Sequence, residues 1–145
     1  MNDGLPILLL DSNALEAETL QQALTEVSMD CPVVHCSDSQ KAMEYLVEGF
    51  GERPWLILMN CYASGTFGLD FLKWLKSDDE FQVIPAIALA DSQKEHFVDA
   101  CFSLGAVGYI VKSDEYMQLK KDLGIVLQYW ALSRLPSDAV FNLEY

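Results

Sequence analysis

Five polar side chains stand where apolar runs of this sequence end. Asp11 and Ser12 follow Pro6–Leu10, Asn60 follows Trp55–Met59, Asp91 follows Ile84–Ala90, and Lys112 follows Val107–Val111. Taken by themselves they make a poor catalytic set. Asp11 and Lys112 suit a structural ion pair. The Asn60 amide carries no charge and is a weak nucleophile, and Ala90 offers no polar atom. Cys31, Cys36, Cys61 and Cys101 contain no CxxC pair, and His35 and His96 do not stand at zinc spacing from them. The cysteines therefore read as free thiols, with Cys61 alone in a loop close to the other polar residues. Asp11-Ser12-Asn13-Ala14 holds no glycine, so the glycine-rich phosphate loop of a nucleotide binder is missing. No nucleophile–base pair stands out. These absences argue against an enzyme or nucleotide binder and against a metal cofactor.

The five polar residues share one kind of position because strands and helices alternate. Pro6–Leu10 is continuously apolar, the pattern of a strand buried on both faces. Residues 12–27 have a helical period, with Leu15, Thr19, Leu20, Ala23 and Val27 on one side and Ser12 or Asn13 as N-cap. Pro32–Cys36 is a second strand. Ser37-Asp38-Ser39 opens a helix carrying Ala42, Met43, Tyr45, Leu46 and Phe50. Trp55–Met59 is a third strand. The loop Asn60–Phe67 leads to a helix with Leu69, Phe71, Leu72, Trp74 and Leu75. Ile84–Ala90, a helix over Gln93–Leu104 closed by Gly105, Val107–Val111 and a last helix from Asp114 to about Ser133 complete the series. Five such units predict an α/β fold: a parallel sheet with right-handed crossovers and helices on both faces. Ligands of such sheets bind at the carboxyl ends of the strands.

The segments at those ends resemble the receiver domain of two-component response regulators. Ile7-Leu8-Leu9-Leu10-Asp11 is similar to the first receiver strand with its leading acid. Leu56-Ile57-Leu58-Met59-Asn60 is similar to the strand that ends at the phospho-acceptor. Gly68-Leu69-Asp70-Phe71-Leu72, Ile84-Pro85-Ala86-Ile87-Ala88-Leu89 and Gly105-Ala106-Val107-Gly108-Tyr109-Ile110-Val111-Lys112 match the segments that follow. The resemblance covers about residues 5–132. It implies a flavodoxin-like, doubly wound, five-stranded sheet of order 2-1-3-4-5 with five helices. It also implies one receiver-like domain over 1–133, with 134–145 as a tail too short for an output domain. Ser77-Asp78-Asp79-Glu80-Phe81 and Gln128-Tyr129-Trp130-Ala131-Leu132 resemble the small receivers that partner bacterial phytochromes.

Receiver chemistry makes an aspartyl phosphate by carboxylate attack on a phosphoryl donor held by Mg²⁺ and a lysine. Carried over residue by residue, the resemblance puts the acceptor at Asn60, the two metal-ligand acids at Asp11 and Ser12, the phosphoryl-binding hydroxyl at Ala90, the lysine at Lys112 and the switch aromatic at Tyr109. Asn60, Ser12 and Ala90 each lack the needed group. One carboxylate of three remains for Mg²⁺, a hard ion that depends on such oxygens, so Mg²⁺ binding is expected to be weak or absent. Ser113 stands where the family usually has proline. A cis bond before it would cost ~2.5–4 kcal/mol and is not expected. The expectation is a pseudo-receiver that works by phosphorylation-independent protein–protein interaction, with Lys112 paired to Asp11. The alternative is phosphorylation of another acid such as Asp11 or Asp91.

The last helix suggests where a partner binds. Tyr116, Leu119, Leu123, Val126, Leu127 and Trp130 recur at helical spacing as a core face, whereas Ile125, Tyr129 and Leu132 form a second apolar stripe on the opposite side. Either the tail Leu135–Tyr145 covers that stripe or a homodimer or partner interface does. The resemblance places such an interface on the fourth helix, fifth strand and fifth helix, at Ala100, Leu104, Tyr109, Ile125, Tyr129 and Leu132. Gly124 costs its helix ~1 kcal/mol relative to alanine, and either permits close approach of a neighbouring helix or is simply tolerated.

The net charge is −13, and no Lys or Arg precedes Lys41. Nucleic acid is a poor partner for that surface, and basic protein surfaces are favoured over acidic ones. A sensor histidine kinase or another signalling protein fits the family. The acidic start Met1-Asn2-Asp3-Gly4 is unlike a signal peptide, and no apolar stretch approaches the ~20 residues of a membrane span, so a cytoplasmic location is expected.

Overall fold

Short apolar runs rich in Ile, Leu and Ala form the buried strands, and the amphipathic stretches between them form the helices. The computed structural model describes residues 4–28, 30–49, 52–60, 67–91 and 95–133. In chain order the elements are β1 (Ile7–Leu10), α1 (Ala14–Val27), β2 (Val33–Cys36), α2 (Ser39–Glu48), β3 (Leu56–Asn60), α3 (Phe67–Ser77), β4 (Ala86–Ala90), α4 (Glu95–Ser103), β5 (Gly108–Val111) and α5 (Tyr116–Leu132). The strands form one parallel sheet in the order β2-β1-β3-β4-β5, the flavodoxin-like arrangement expected. Among the described residues no helix is long and apolar enough to cross a membrane, and no peptide bond is cis.

Alternation along the strands divides the core in two. Leu8, Leu10, Ile57, Met59, Ala86 and Ala88 pack with Ala42 and Leu46 of α2 and with Phe71, Leu72 and Leu75 of α3. Ile7, Leu9, Leu56, Leu58, Ile87 and Leu89 pack with α1 and α5 on the other face. β1, β3 and β4 are buried throughout, which is why they read as unbroken apolar runs.

Two expectations change. The buried face of α1 is Ala17, Leu20, Ala23 and Leu24, while Leu15 is 78% exposed. Asn13 caps the helix, its side chain accepting from the Glu16 amide at 3.0 Å. Leu15 and Thr19 each stand two residues from Ala17, on the opposite side of the helix, and both are exposed. β4 begins at Ala86, because Phe81 to Ile84 form a turn closed by an Ile84 N–H to Phe81 carbonyl bond. α5 keeps its expected core face through Leu119, Leu123 and Leu127.

Register brings the strand ends level. Leu10 lies beside Met59, Met59 beside Ala88, and Ala90 beside Val111. The Asp11 amide donates to the Cys36 carbonyl at 3.1 Å and the Lys112 amide to the Ala90 carbonyl at 2.7 Å. Pairing thus continues one residue beyond the strands and delivers Asp11, Asn60, Ala90 and Lys112 to one edge.

Candidate functional site

Asp11 is fully buried. Its Oδ1 accepts from the Asn13 amide at 2.9 Å, and its carbonyl accepts from His35 Nε2 at 2.8 Å. Asn60 is 4% exposed at the end of β3. Its Nδ2 donates to Glu16 Oε1 at 2.6 Å. Lys112, its side chain 6% exposed, forms an ion pair with that same Glu16 oxygen and a second with Asp91 Oδ1 at 3.2 Å. Ala90 presents only a buried methyl group, Ser12 is exposed, and Tyr109 is half-buried against the core on the α3 side.

The structure therefore gathers Asp11, Asn60, Ala90 and Lys112, but it corrects the expected ion pair. Lys112 pairs with Glu16 and Asp91 instead of Asp11. The cause is the first turn of α1, whose Asn13 cap fixes Glu16 over the strand ends and between the two. Glu16 and His35 are the participants that the sequence reading missed. An acid in the first turn of the helix after a strand ending in Asp11 was the available signal for Glu16.

The two carboxyl groups divide their charge unequally. Burial first, and then the contact with Glu16, push the Asp11 carboxyl up to about 7 against the lowering effect of the Asn13 amide and Lys112. Burial opposes ionisation of Glu16 too, but bonding to Asp11, Lys112 and Asn60 overcomes this and holds Glu16 below its ordinary value. The pair titrates as a unit, with the proton favoured on Asp11 and the negative charge on Glu16. Asp11 Oδ2 is buried with no hydrogen-bond partner among the described residues. Among the described residues no three His, Cys, Asp or Glu side chains group in a way that could hold a metal ion.

Among the described cysteines Cys36 and Cys101 are buried and Cys31 is half-buried, and burial pushes the Cys36 thiol up to about 11. Cys61 and the tail over 134–145 lie outside the described residues.

On the far side of α5, Ile125 is 56%, Tyr129 62% and Leu132 86% exposed. Ile125 and Tyr129 border a shallow groove against Val107, Gly108 and Ile110 of the edge strand and its approach. Ala100 is half-buried, and Leu104 packs partly against the core.

The model of the response regulator receiver domain matches residues 7–123. The chain is 26% identical over 129 residues to response regulator Rcp1 of Synechocystis, covering 86% of this chain and 87% of that one. It superposes on the phosphorylated cyanobacterial phytochrome response regulator RcpA with a TM-score of 0.82 and 28% identity, over 91% of this chain and 98% of the other. It matches the Mn(2+)-bound form of Rcp1 with a TM-score of 0.78 and 25% identity, over 90% and 98% of the two chains.

Proposed function

This chain belongs to the response regulator receiver domain family, and from that premise we propose that it is a pseudo-receiver. It acts in signal transduction by binding proteins, and its binding does not depend on phosphorylation. The observation that carries this reading is Asn60. The acceptor position holds a buried amide whose nitrogen is already donating to Glu16, where phosphoryl transfer requires a carboxylate oxygen free to attack. Asp11, its carboxyl raised to about 7 chiefly by burial, is only partly ionised near neutral pH, Ser12 brings no charge, and Ala90 has no hydroxyl. That donor set fits Mg²⁺ poorly. The chain is accordingly a signalling component without catalytic residues.

The partner that fits is a protein with a basic or apolar surface, with a sensor histidine kinase of the phytochrome type the leading choice. Relatives named as phytochrome response regulators support it, and the −13 charge disfavours nucleic acid. Self-association through Ile125, Tyr129 and Leu132 would cover the exposed stripe of α5.

Light scattering tests both parts. The natural chain should exceed its 16.3 kDa monomer mass and keep the same mass after Mg²⁺ and acetyl phosphate. Ile125→Glu with Tyr129→Glu should reduce it to monomer. A mass that follows the phosphodonor would contradict phosphorylation independence, and an unchanged double variant would contradict the interface.

A further inference from the structure

We propose that the Glu16 carboxylate is a built-in ligand of the former phosphorylation pocket: it occupies the seat of a phosphate-sized oxyanion between Asn60 and Lys112. The inference deepens the pseudo-receiver reading and rests on it.

The geometry is that of a bound anion. Two donors converge on one oxygen, Glu16 Oε1. One is Asn60 Nδ2 at the end of β3, at 2.6 Å. The other is the Lys112 ammonium just beyond β5. An oxygen of a phosphoryl group held at this edge of the sheet would be met by the same lysine. The carboxylate comes from a third element, the first turn of α1, so it ties together three parts of the chain that a small ligand would otherwise bridge. Its backbone amide is held by Asn13 Oδ1 at 3.0 Å, which fixes the turn that presents it.

The Glu16 side chain is 23% exposed and Lys112 only 6%, so the ion pair is shielded and its attraction is worth more than at an open surface. Asp91 also reaches Lys112, at 3.2 Å, but it is 66% exposed. It is the weaker, solvent-facing partner.

A tethered anion changes how the pocket is regulated. Being part of the chain, it needs no donor, does not hydrolyse and is present at a high effective concentration. The pocket is then permanently filled and the receiver rests in one state. The substitution of Asn at position 60 belongs to the same design, because an acceptor carboxylate there would repel Glu16, whereas an amide donates to it.

The test is ¹H–¹⁵N NMR of the Asn60 side-chain amide in the natural chain, Glu16→Ala and Glu16→Gln, titrated with inorganic phosphate. In the natural chain the Asn60 signals should not respond to phosphate. In Glu16→Ala they should shift before any addition, then move saturably with phosphate, with an affinity gain on the order of tenfold or more over the natural chain. Glu16→Gln keeps the size of the side chain but not its charge. It should shift the Asn60 signals while leaving the fold intact, which keeps the test decisive if the alanine variant does not fold. Asn60 signals that are the same in all three proteins, or equal phosphate binding in the natural chain and Glu16→Ala, would overturn the proposal. Covalent phosphorylation of the natural chain would refute the pseudo-receiver reading without altering these amide signals in donor-free samples, so the two failures are distinguishable.

Discussion

At the residue scale, the pocket is decided by where one proton and one charge sit. The Asp11 carboxyl is raised from its ordinary 3.8 to about 7. The folded chain therefore holds a proton that the unfolded chain has already released above about pH 4, and the contribution of Asp11 to stability falls as pH rises from there to about 7. Glu16 is shifted the other way: its contribution is present above its unfolded value and is lost as pH falls. Asp11→Asn removes the first effect and also alters the contact that helps hold Glu16 low, a change felt only at lower pH. That variant should gain in melting temperature relative to the natural chain between pH 5 and pH 8. A difference in melting temperature that is the same at both pH values would contradict the assignment of the proton to Asp11. Asp11, Asn60, Ala90 and Lys112 were legible in the sequence because each directly ends an apolar run. Glu16 was not. Its place depends on the phase of α1, which is set by the Asn13 cap rather than by any pattern of apolar residues. The mistaken pairing of Lys112 with Asp11 follows from that one omission.

At the element scale, two glycines show how local geometry separates necessity from tolerance. Gly105 follows α4 at φ 106°, and a Cβ there would lie 2.7 Å from Lys76 Cγ. The Lys76 stem has little room to yield, because its Nζ donates to the carbonyls of Gln82 and Ile84 at 2.9 and 2.7 Å. Gly124 lies within α5, where an added Cβ would meet only Val27 at 3.8 Å, an ordinary contact. Gly105→Ala should therefore cost about 1–3 kcal/mol, while Gly124→Ala should gain up to about 1 kcal/mol of helix stability. Urea midpoints at unchanged slope measure both. A neutral Gly105→Ala or a destabilising Gly124→Ala would contradict this reading. The helix reading of α5 succeeded because Leu119, Leu123 and Leu127 repeat at one period. That of α1 failed at Leu15 and Thr19, which lie inside the helix but away from Ala17, Leu20, Ala23 and Leu24, the positions that face the sheet. The strands were legible as runs, but the turn before β4 hides inside one: Ile84 and Pro85 are apolar and still precede the strand.

At the scale of the whole molecule, the sheet order was legible from the family resemblance and the burial of both sheet faces from the unbroken apolar runs of β1, β3 and β4. The occupant of the exposed α5 stripe was not, since an apolar stripe states only that something covers it. The acidic surface and the altered pocket bear on the same point. Asn60 donates to Glu16 and Lys112 pairs with it, and on the proposed reading the molecule has a receiver's shape without a receiver's reactive carboxylate. The most direct measurement of that claim is intact mass after incubation with Mg²⁺ and acetyl phosphate, with Ser12→Asp/Asn60→Asp run in parallel. The account predicts no phosphoryl adduct on the natural chain. A stoichiometric adduct on the natural chain would contradict it, and mapping the modified residue would identify the acid that had taken over the role of Asn60.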